Sequence, residues 1–392
     1  VSEERAFWLA WSQVAGVGPT LLQRLYRHFG TLANAWEASA SDLEAVEGVG
    51  PQTARAAVAD RSRYDPIAFL HQHEQENPHF WTPADSGYPR LLREISDPPP
   101  VLYYDGTVNE EDDLSWQQAI AIVGTREPSD YGRRWTRRIS ATLAQAGYTI
   151  VSGLAEGIDT EAHASCLGAR GRTIAVLGTG VDVVYPWSNR RLTEQIRQDG
   201  GLLLSEYPAK TQPDRTNFPR RNRIIAGLCR AILVLEAPHK SGALITAQLA
   251  NDYGRDVYAL PGSLDNARCK GCLELINQGA HLILSEKHLL DLLGEMPELV
   301  PKQSPNVQLS LLDIPPLPIE PLPKFAVETV QPELNLKPPL DRVLQAVSFE
   351  PTTFDLIVQQ VNLETGLVLS ALSQLELMGL IAQLPGMRYQ KA

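Results

Sequence analysis

A chain of 392 residues is longer than one ordinary domain, so two or three units are expected. With 43% hydrophobic and 21% charged residues it has the composition of a globular protein with a sizeable core, and no apolar run reaches the length of a membrane span. The opening VSEERAFW has no basic stretch followed by an apolar one, so the cytoplasm is the expected compartment and no membrane partner is expected.

The formal net charge of −11 argues at first against a nucleic-acid partner. Its distribution reverses that. Residues 1–115 hold 8 Lys and Arg against 18 Asp and Glu, residues 116–290 hold 21 against 16, and residues 291–392 hold 6 against 12. Only the middle is basic, and a local patch matters more to a polyanion than the whole-chain charge. The four cysteines, Cys166, Cys229, Cys269 and Cys272, are too few for a disulfide framework in a chain of this size. Cys269 and Cys272 have the spacing of half a zinc site, but no second pair follows, so they read as incidental thiols and no metal is expected.

In chain order, residues 1–65 read as short helices. AGVGPTLLQRLYRHFG (15–30) and EGVGPQTARAAVAD (47–60) repeat one pattern, Gly-Val-Gly-Pro opening an apolar-periodic helix with Pro at the favoured first position. Such a turn can present backbone N–H groups to a phosphate, as in helix-hairpin-helix modules, or can simply pack two helical hairpins together. Within 66–290 the pattern switches to short apolar runs separated by helix-length stretches. The runs are AIAIVG (119–124), YTIVSG (148–153), RTIAVLG (172–178), GLLLSE (201–206), AILVLEA (231–237), DVYALPG (256–262) and HLILS (281–285). This predicts an α/β domain whose parallel sheet carries helices on both faces, with ligands at the carboxyl ends of the strands. Residues 291–338 are proline-rich and read as an extended linker. Residues 339–392 give three helical patterns and a terminal Ile381–Tyr389 hairpin centred on Pro385-Gly386, the order of a winged helix. Its would-be recognition helix (363–379) holds Glu364 and Glu376 and no Lys or Arg, so it is expected to pack on protein rather than read DNA.

The loops after the strands carry the candidate site. Gly124-Thr125-Arg126 offers close backbone approach, a hydroxyl and a planar fork of donors. Ser152-Gly153, Gly178-Thr179-Gly180, Lys240-Ser241-Gly242 and Pro261-Gly262-Ser263 add further small residues and donors, together an anion-binding rim. Neither G-x-G-x-x-G nor a G-x-x-x-x-G-K-[ST] loop is present, so neither NAD nor ATP is expected and no cofactor is implied. KTQPDRTNFPRRNRIIAGLCR (210–230) sets Lys210, Arg215, Arg220, Arg221, Arg223 and Arg230 against one acid, Asp214, with Phe218 among them. Cations to neutralise phosphates around an aromatic on which a base can stack point to single-stranded nucleic acid. Arg133, Arg134, Arg137 and Arg138 on the first helix either extend that patch or are solvated. Glu156, Asp159, Glu161 and His163 are the candidates for an alternative, a nucleotide-processing hydrolase, and a scaffold sensing a free nucleotide is a third reading.

Ordered matches run through most of the chain. They are YPRLLREISDPPPVLYYDG (88–106), AIVGTREPSDYG (121–132), VSGLAEGIDTEAH (151–163), LGTGVDVVYPWSNRRL (177–192), LLSEYP (203–208), FPRRNRIIAGL (218–228), KSGALITAQLA (240–250) and ELINQGA (274–280). In these the sequence resembles the DNA-processing protein A (DprA/Smf) family. The resemblance implies an extended Rossmann-like domain between a SAM-like helical domain and a winged helix. It also implies a non-enzymatic mediator of recombination that binds single-stranded DNA, forms a homodimer, and loads the RecA recombinase onto incoming strands in natural transformation. The family's phosphate motif falls on Gly124, Thr125 and Arg126, with Thr where Ser is usual, and its clamping cation and stacking aromatic fall on Arg215 and Phe218. The expected interface is therefore Gly124, Thr125, Arg126, Ser152, Gly153, Arg215, Phe218, Arg221, Asn222, Arg223, Lys240, Ser241 and Gly242, with no catalytic residue.

Overall fold

The seven apolar runs form seven strands, seen in a computed structural model that describes residues 2–108, 118–294, 338–348, 352–361, 363–378, 380–384 and 388–391. They are β3 (Ala119–Val123), β4 (Thr149–Ser152), β5 (Thr173–Leu177), β6 (Leu202–Ser205), β7 (Ala231–Val234), β8 (Asp256–Ala259) and β9 (His281–Leu282), and each pairs in parallel with its neighbours among them. Two further strands, β1 (Phe80–Trp81) and β2 (Leu102–Gly106), join antiparallel at the β6 edge, which makes the sheet mixed. Its order is β1-β2-β6-β5-β4-β3-β7-β8-β9.

Alternation along each strand explains why the runs are apolar throughout. On β3, Ala119, Ala121 and Val123 enter one core while Ile120 and Ile122 enter the other. The first core is closed by the helices Asn217–Leu228 and Gly242–Asp252 through Ile224, Ile225, Ala243 and Ala247. The second is closed by the helices Asp130–Gln145 and Ile158–Gly168 through Ile139, Leu143, Ile158 and Ala162. A strand covered on both faces needs apolar residues at both parities. From β3 the chain winds outward through β4, β5 and β6, then crosses back to β7 on the other side of β3. The loops after β3 and β7 therefore leave toward opposite faces and open a crevice between them.

Both Gly-Val-Gly-Pro repeats open helices, Pro19–Phe29 and Pro51–Arg61, each with Pro in the first turn and Gly18 or Gly50 at the cap. Gly16 and Gly48 have φ of +80° and +90°, the left-handed region that glycine enters without a Cβ penalty. The hairpins share a core with Trp8, Trp11 and Trp36. Beyond them the helix Pro66–Glu76 packs Leu70 with Ala6 and Leu9 against Phe80, Val101 and Tyr103, so the helical region and the edge of the sheet share apolar packing. Arg5 spans that joint. It donates to the Phe80 carbonyl at 2.7 Å, pairs with Glu74 at 3.1 Å and Asp85 at 3.4 Å, and stacks 4.0 Å from the Phe80 ring centroid.

The carboxyl-terminal unit, taken by itself, has helices Pro338–Ala346, Phe354–Val361 and Thr365–Leu377. Its antiparallel strands, in the order β10-β12-β11, are β10 (Thr352–Thr353), β11 (Ile381–Leu384) and β12 (Arg388–Lys391). This is a winged helix around Val343, Ile357, Val368, Leu372 and Tyr389. The expected hairpin is present as β11 and β12, while its Pro385-Gly386 turn and nearly all of the proline-rich 291–338 segment lie outside the described residues. No helix among the described residues is long and apolar enough to cross a membrane.

Replacing Arg5 takes the cation from both Glu74 and Asp85 and a donor from the Phe80 carbonyl. Arg5→Ala should lower the unfolding free energy by roughly 2 kcal/mol or more, read from urea denaturation, while Arg55→Ala on an exposed helix face stays within about 0.5 kcal/mol of wild type.

Candidate nucleic-acid interface

At the crevice between β3 and β7 a cavity of about 660 Å³ is lined by Gly124, Thr125, Arg126, Arg215, Phe218, Arg221, Asn222, Ser241 and Gly242. Each of its walls is fixed by an interaction that can be named. Fully buried Glu236 holds the first loop: its main-chain oxygen accepts from Thr125 N at 2.7 Å, and its carboxylate accepts from Ser129 N and Oγ, both at 2.7 Å. Ser129 in turn caps the helix Asp130–Gln145. A Cβ on Gly124 would lie 2.5 Å from Ile158 Cγ1 and 2.8 Å from the Glu236 carbonyl, so only glycine lets the loop lie this close. Arg126, two residues on, is left exposed beside the cavity.

Arg221 forms the floor. Its buried guanidinium donates through Nη1 to the Gly153 carbonyl at 2.7 Å and to the Val176 carbonyl, tying the ends of β4 and β5 together. Opposite it, the Asp159 carboxylate accepts from Gly153 N at 3.1 Å and Ala155 N at 3.3 Å. Burial pushes the Arg221 pKa down to about 10, with Asp159 opposing the shift, so the group remains a cation at neutral pH. Burial likewise raises the Asp159 carboxyl, against Arg221 and the two amides that hold it down.

Phe218 is half-buried, with its ring over Gly178, where a Cβ would come within 2.9 Å of a ring carbon. Its centroid lies 5.4 Å from that of Tyr185. Arg215 is exposed, and its neighbour Asp214 is occupied by the Thr216 amide and hydroxyl at 2.7 and 2.6 Å. Asn222 donates to the Gly242 carbonyl at 3.4 Å, joining this helix start to the next. Among the described residues neither Arg126 nor Arg215 has a carboxylate partner.

Other expected residues lie elsewhere. Gly153 lines a small adjoining cavity of about 50 Å³ together with Arg126, Tyr185, Phe218 and Arg221. Lys240 lies beyond Ser241 along a shallow depression with Leu244 and Ile245. Ser152 is buried and donates to the Ile122 carbonyl at 2.6 Å. Arg223 is buried against Glu206 at 2.6 Å and Asp97 at 3.3 Å. Of the basic helix face, Arg133 and Arg137 share Glu161 at 3.0 and 2.7 Å, Arg138 pairs with Glu286 at 2.6 Å, and Arg134 lies over Tyr131. Conversely Tyr185, Ile245 and Thr246 line the cavity without having been expected there.

Three family descriptions match the chain: DNA recombination-mediator protein A over residues 79–294, the DprA winged helix domain over 327–387, and a SAM-like Helix-hairpin-helix tandem over 12–59. Protein Smf of Synechocystis is 51% identical over 398 residues, covering 100% of this chain and 99% of that protein. The chain belongs to the DprA/Smf family. DNA processing protein DprA of Streptococcus pneumoniae is 45% identical over 223 residues, 57% of this chain and 77% of that protein. The X-ray structure of the pneumococcal DprA aligns with a TM-score of 0.62 at 35% identity, over 73% of this chain and 97% of that one.

In this DprA/Smf chain the side chains weighed for hydrolysis are tied into the scaffold. Thr173 Oγ1 donates to the Ile150 carbonyl at 2.8 Å, so its contact with His163 Nδ1 at 2.7 Å must take the proton from the imidazole. That assigns the Nδ1–H tautomer and leaves Nε2 unprotonated, buried and without a hydrogen-bond partner. Burial, with the charge of Arg221, pushes the His163 pKa down to about 3. Glu161 serves two arginines, and Glu156 accepts from Ser188 Oγ at 2.8 Å.

The sign of the His163 effect on stability follows from its lowered pKa. Below about pH 6.5 the unfolded chain gains a proton on this residue that the folded chain refuses, so stability is full above that pH and is lost as pH falls. His163→Leu should flatten the pH dependence of urea unfolding between about pH 6.5 and 5 by up to about 1.4 kcal/mol per pH unit. Arg221→Ala, which removes the donor to two carbonyls and the cation near Asp159, should cost about 2–3 kcal/mol in the same assay at neutral pH.

Proposed function

We propose that this protein binds single-stranded DNA in the crevice beyond β3 and β7 and handles the strand without cleaving it. The observation that carries the reading is the pairing of two exposed arginines without carboxylate partners, Arg126 and Arg215, with the half-exposed ring of Phe218 in one open cavity. Phosphates are met by the arginines, by the buried charge of Arg221, and by the starts of the helices Asn217–Leu228 and Gly242–Asp252, whose dipoles favour anions. A base can stack on Phe218 only if it is unpaired, which favours a single strand over a duplex. Ser152 and Arg223 act indirectly in this reading, by fixing the loop and helix from below, while exposed Lys240 is available to phosphate beside Ser241.

The wider role we infer is that of a recombination mediator working in the cytoplasm, protecting incoming strands in natural transformation and loading RecA onto them as a homodimer, with no cofactor. The description of the family as DNA recombination mediators supports it. The structural use of Asp159 and His163 weighs against the nucleotide-processing alternative.

Fluorescence anisotropy with a labelled oligothymidylate tests the site. Arg126→Ala should weaken binding about tenfold and lower the slope of log K against log salt by about 0.7. Phe218→Ala should cost about 1–3 kcal/mol with the slope unchanged. Wild-type affinity in both variants would remove the DNA from this cavity.

A further inference from the structure

The loop after β5 carries a second aromatic ledge that begins at the cavity with Tyr185 and leaves it with Trp187. Tyr185 is 42% exposed and lines both cavities beside Phe218, and Trp187, two residues on, is 69% exposed. At most about 7 Å of backbone separates them. Tryptophan is highly buried on average, so an indole this open to water beside an exposed tyrosine stands out. One face of the Trp187 ring is covered by the Arg190 guanidinium, 5.0 Å from the centroid and itself held by Glu194 at 3.2 Å, and Arg191 beside it is exposed. The turn Trp187–Asn189 is held firmly from below. Buried Asn189 donates to the Leu154 carbonyl at 2.9 Å and to Thr160 Oγ1 at 2.9 Å, fixing the turn to the loop that lines the cavity.

We propose that Trp187, backed by Arg190 and Arg191, is a second base-stacking platform, and that the strand leaving Phe218 continues over Tyr185 onto it. The inference rests on the cavity being the DNA site and extends that site along one direction of the strand. Aromatic rings beside cations suit an extended strand, because each ring takes a base face of any sequence while the exposed guanidinium of Arg191 meets the backbone and Arg190 holds the indole in place. A firmly held platform also lowers the ordering cost of binding.

The test uses the full chain and a labelled oligothymidylate of about twenty nucleotides, long enough to pass the cavity. Trp187→Ala should weaken binding about tenfold, and Trp187→Phe, which keeps a ring, by less than about threefold. Oligothymidylate should quench the protein's tryptophan emission, and Trp187→Phe should remove most of that quenching. The exposed position lets both variants keep the wild-type unfolding midpoint, checked by denaturation. If Phe218→Ala weakens binding while Trp187→Ala binds as wild type and Trp187→Phe keeps the full quenching, the platform is overturned and the cavity stands. If Arg126→Ala and Phe218→Ala also bind as wild type, the cavity reading falls and the extension with it. A Trp187→Ala variant that keeps its DNA affinity but changes sedimentation would assign the ledge to protein contact and overturn the proposal.

Discussion

The buried guanidinium of Arg221 is the group on which the crevice depends. It joins the carbonyl ends of β4 and β5, faces the Asp159 carboxylate, and underlies both Gly153 and the ring-bearing helix start at Phe218. A cation sealed in this way is costly unless its hydrogen bonds are satisfied, and here the Gly153 and Val176 carbonyls and the Asn222 side-chain oxygen accept from it, with Asp159 as a nearby opposite charge. The arrangement places a fixed positive charge under the cavity without exposing it to counterions, so screening by salt affects it less than it affects Arg126 or Arg215.

Most of the other arginines near the sheet serve structure. Arg133, Arg137, Arg138 and Arg223 are each bound to a carboxylate, and Arg5 joins the helical region to the sheet edge. A chain with an acidic total can therefore present a basic crevice, because its acids neutralise cations elsewhere and leave Arg126 and Arg215 without a partner among the described residues. Electrostatic attraction for a polyanion is then strengthened at the crevice.

The parallel strands were legible because burial on both faces forces runs of apolar residues, and because each run ends in glycine or a polar loop. β1 and β2 were not, since Phe80-Trp81 is too short to show a period and LYYDG mixes apolar and polar residues along an edge. In the site, the Gly124–Arg126 loop was legible from residue type and place. The separate roles of Arg221 and Arg223 were not, because a linear run of cations carries no helical phase. Once the helix Asn217–Leu228 is known, Phe218, Arg221, Asn222 and Ile225 fall at spacings of three, four and seven on one face, and all four line the cavity, while Arg223 turns to Glu206 and Asp97. Tyr185 could have been suspected from Tyr-Pro-Trp followed by two arginines, aromatics in a loop with no apolar run to join.

The packing of Ala6, Leu9 and Leu70 on Phe80, Val101 and Tyr103 bears on how this family can diversify. A domain that merely trails on a tether can be lost or exchanged without harm to its neighbour. Here the loss would uncover a two-residue edge strand and an apolar strip beside it, the kind of surface that recruits other chains edge to edge. Swapping in a different amino-terminal module would require a matching apolar face and a cation in the place of Arg5. Inheritance is therefore expected to treat the helices and the sheet edge as one unit, even where sequence comparison assigns them to separate families.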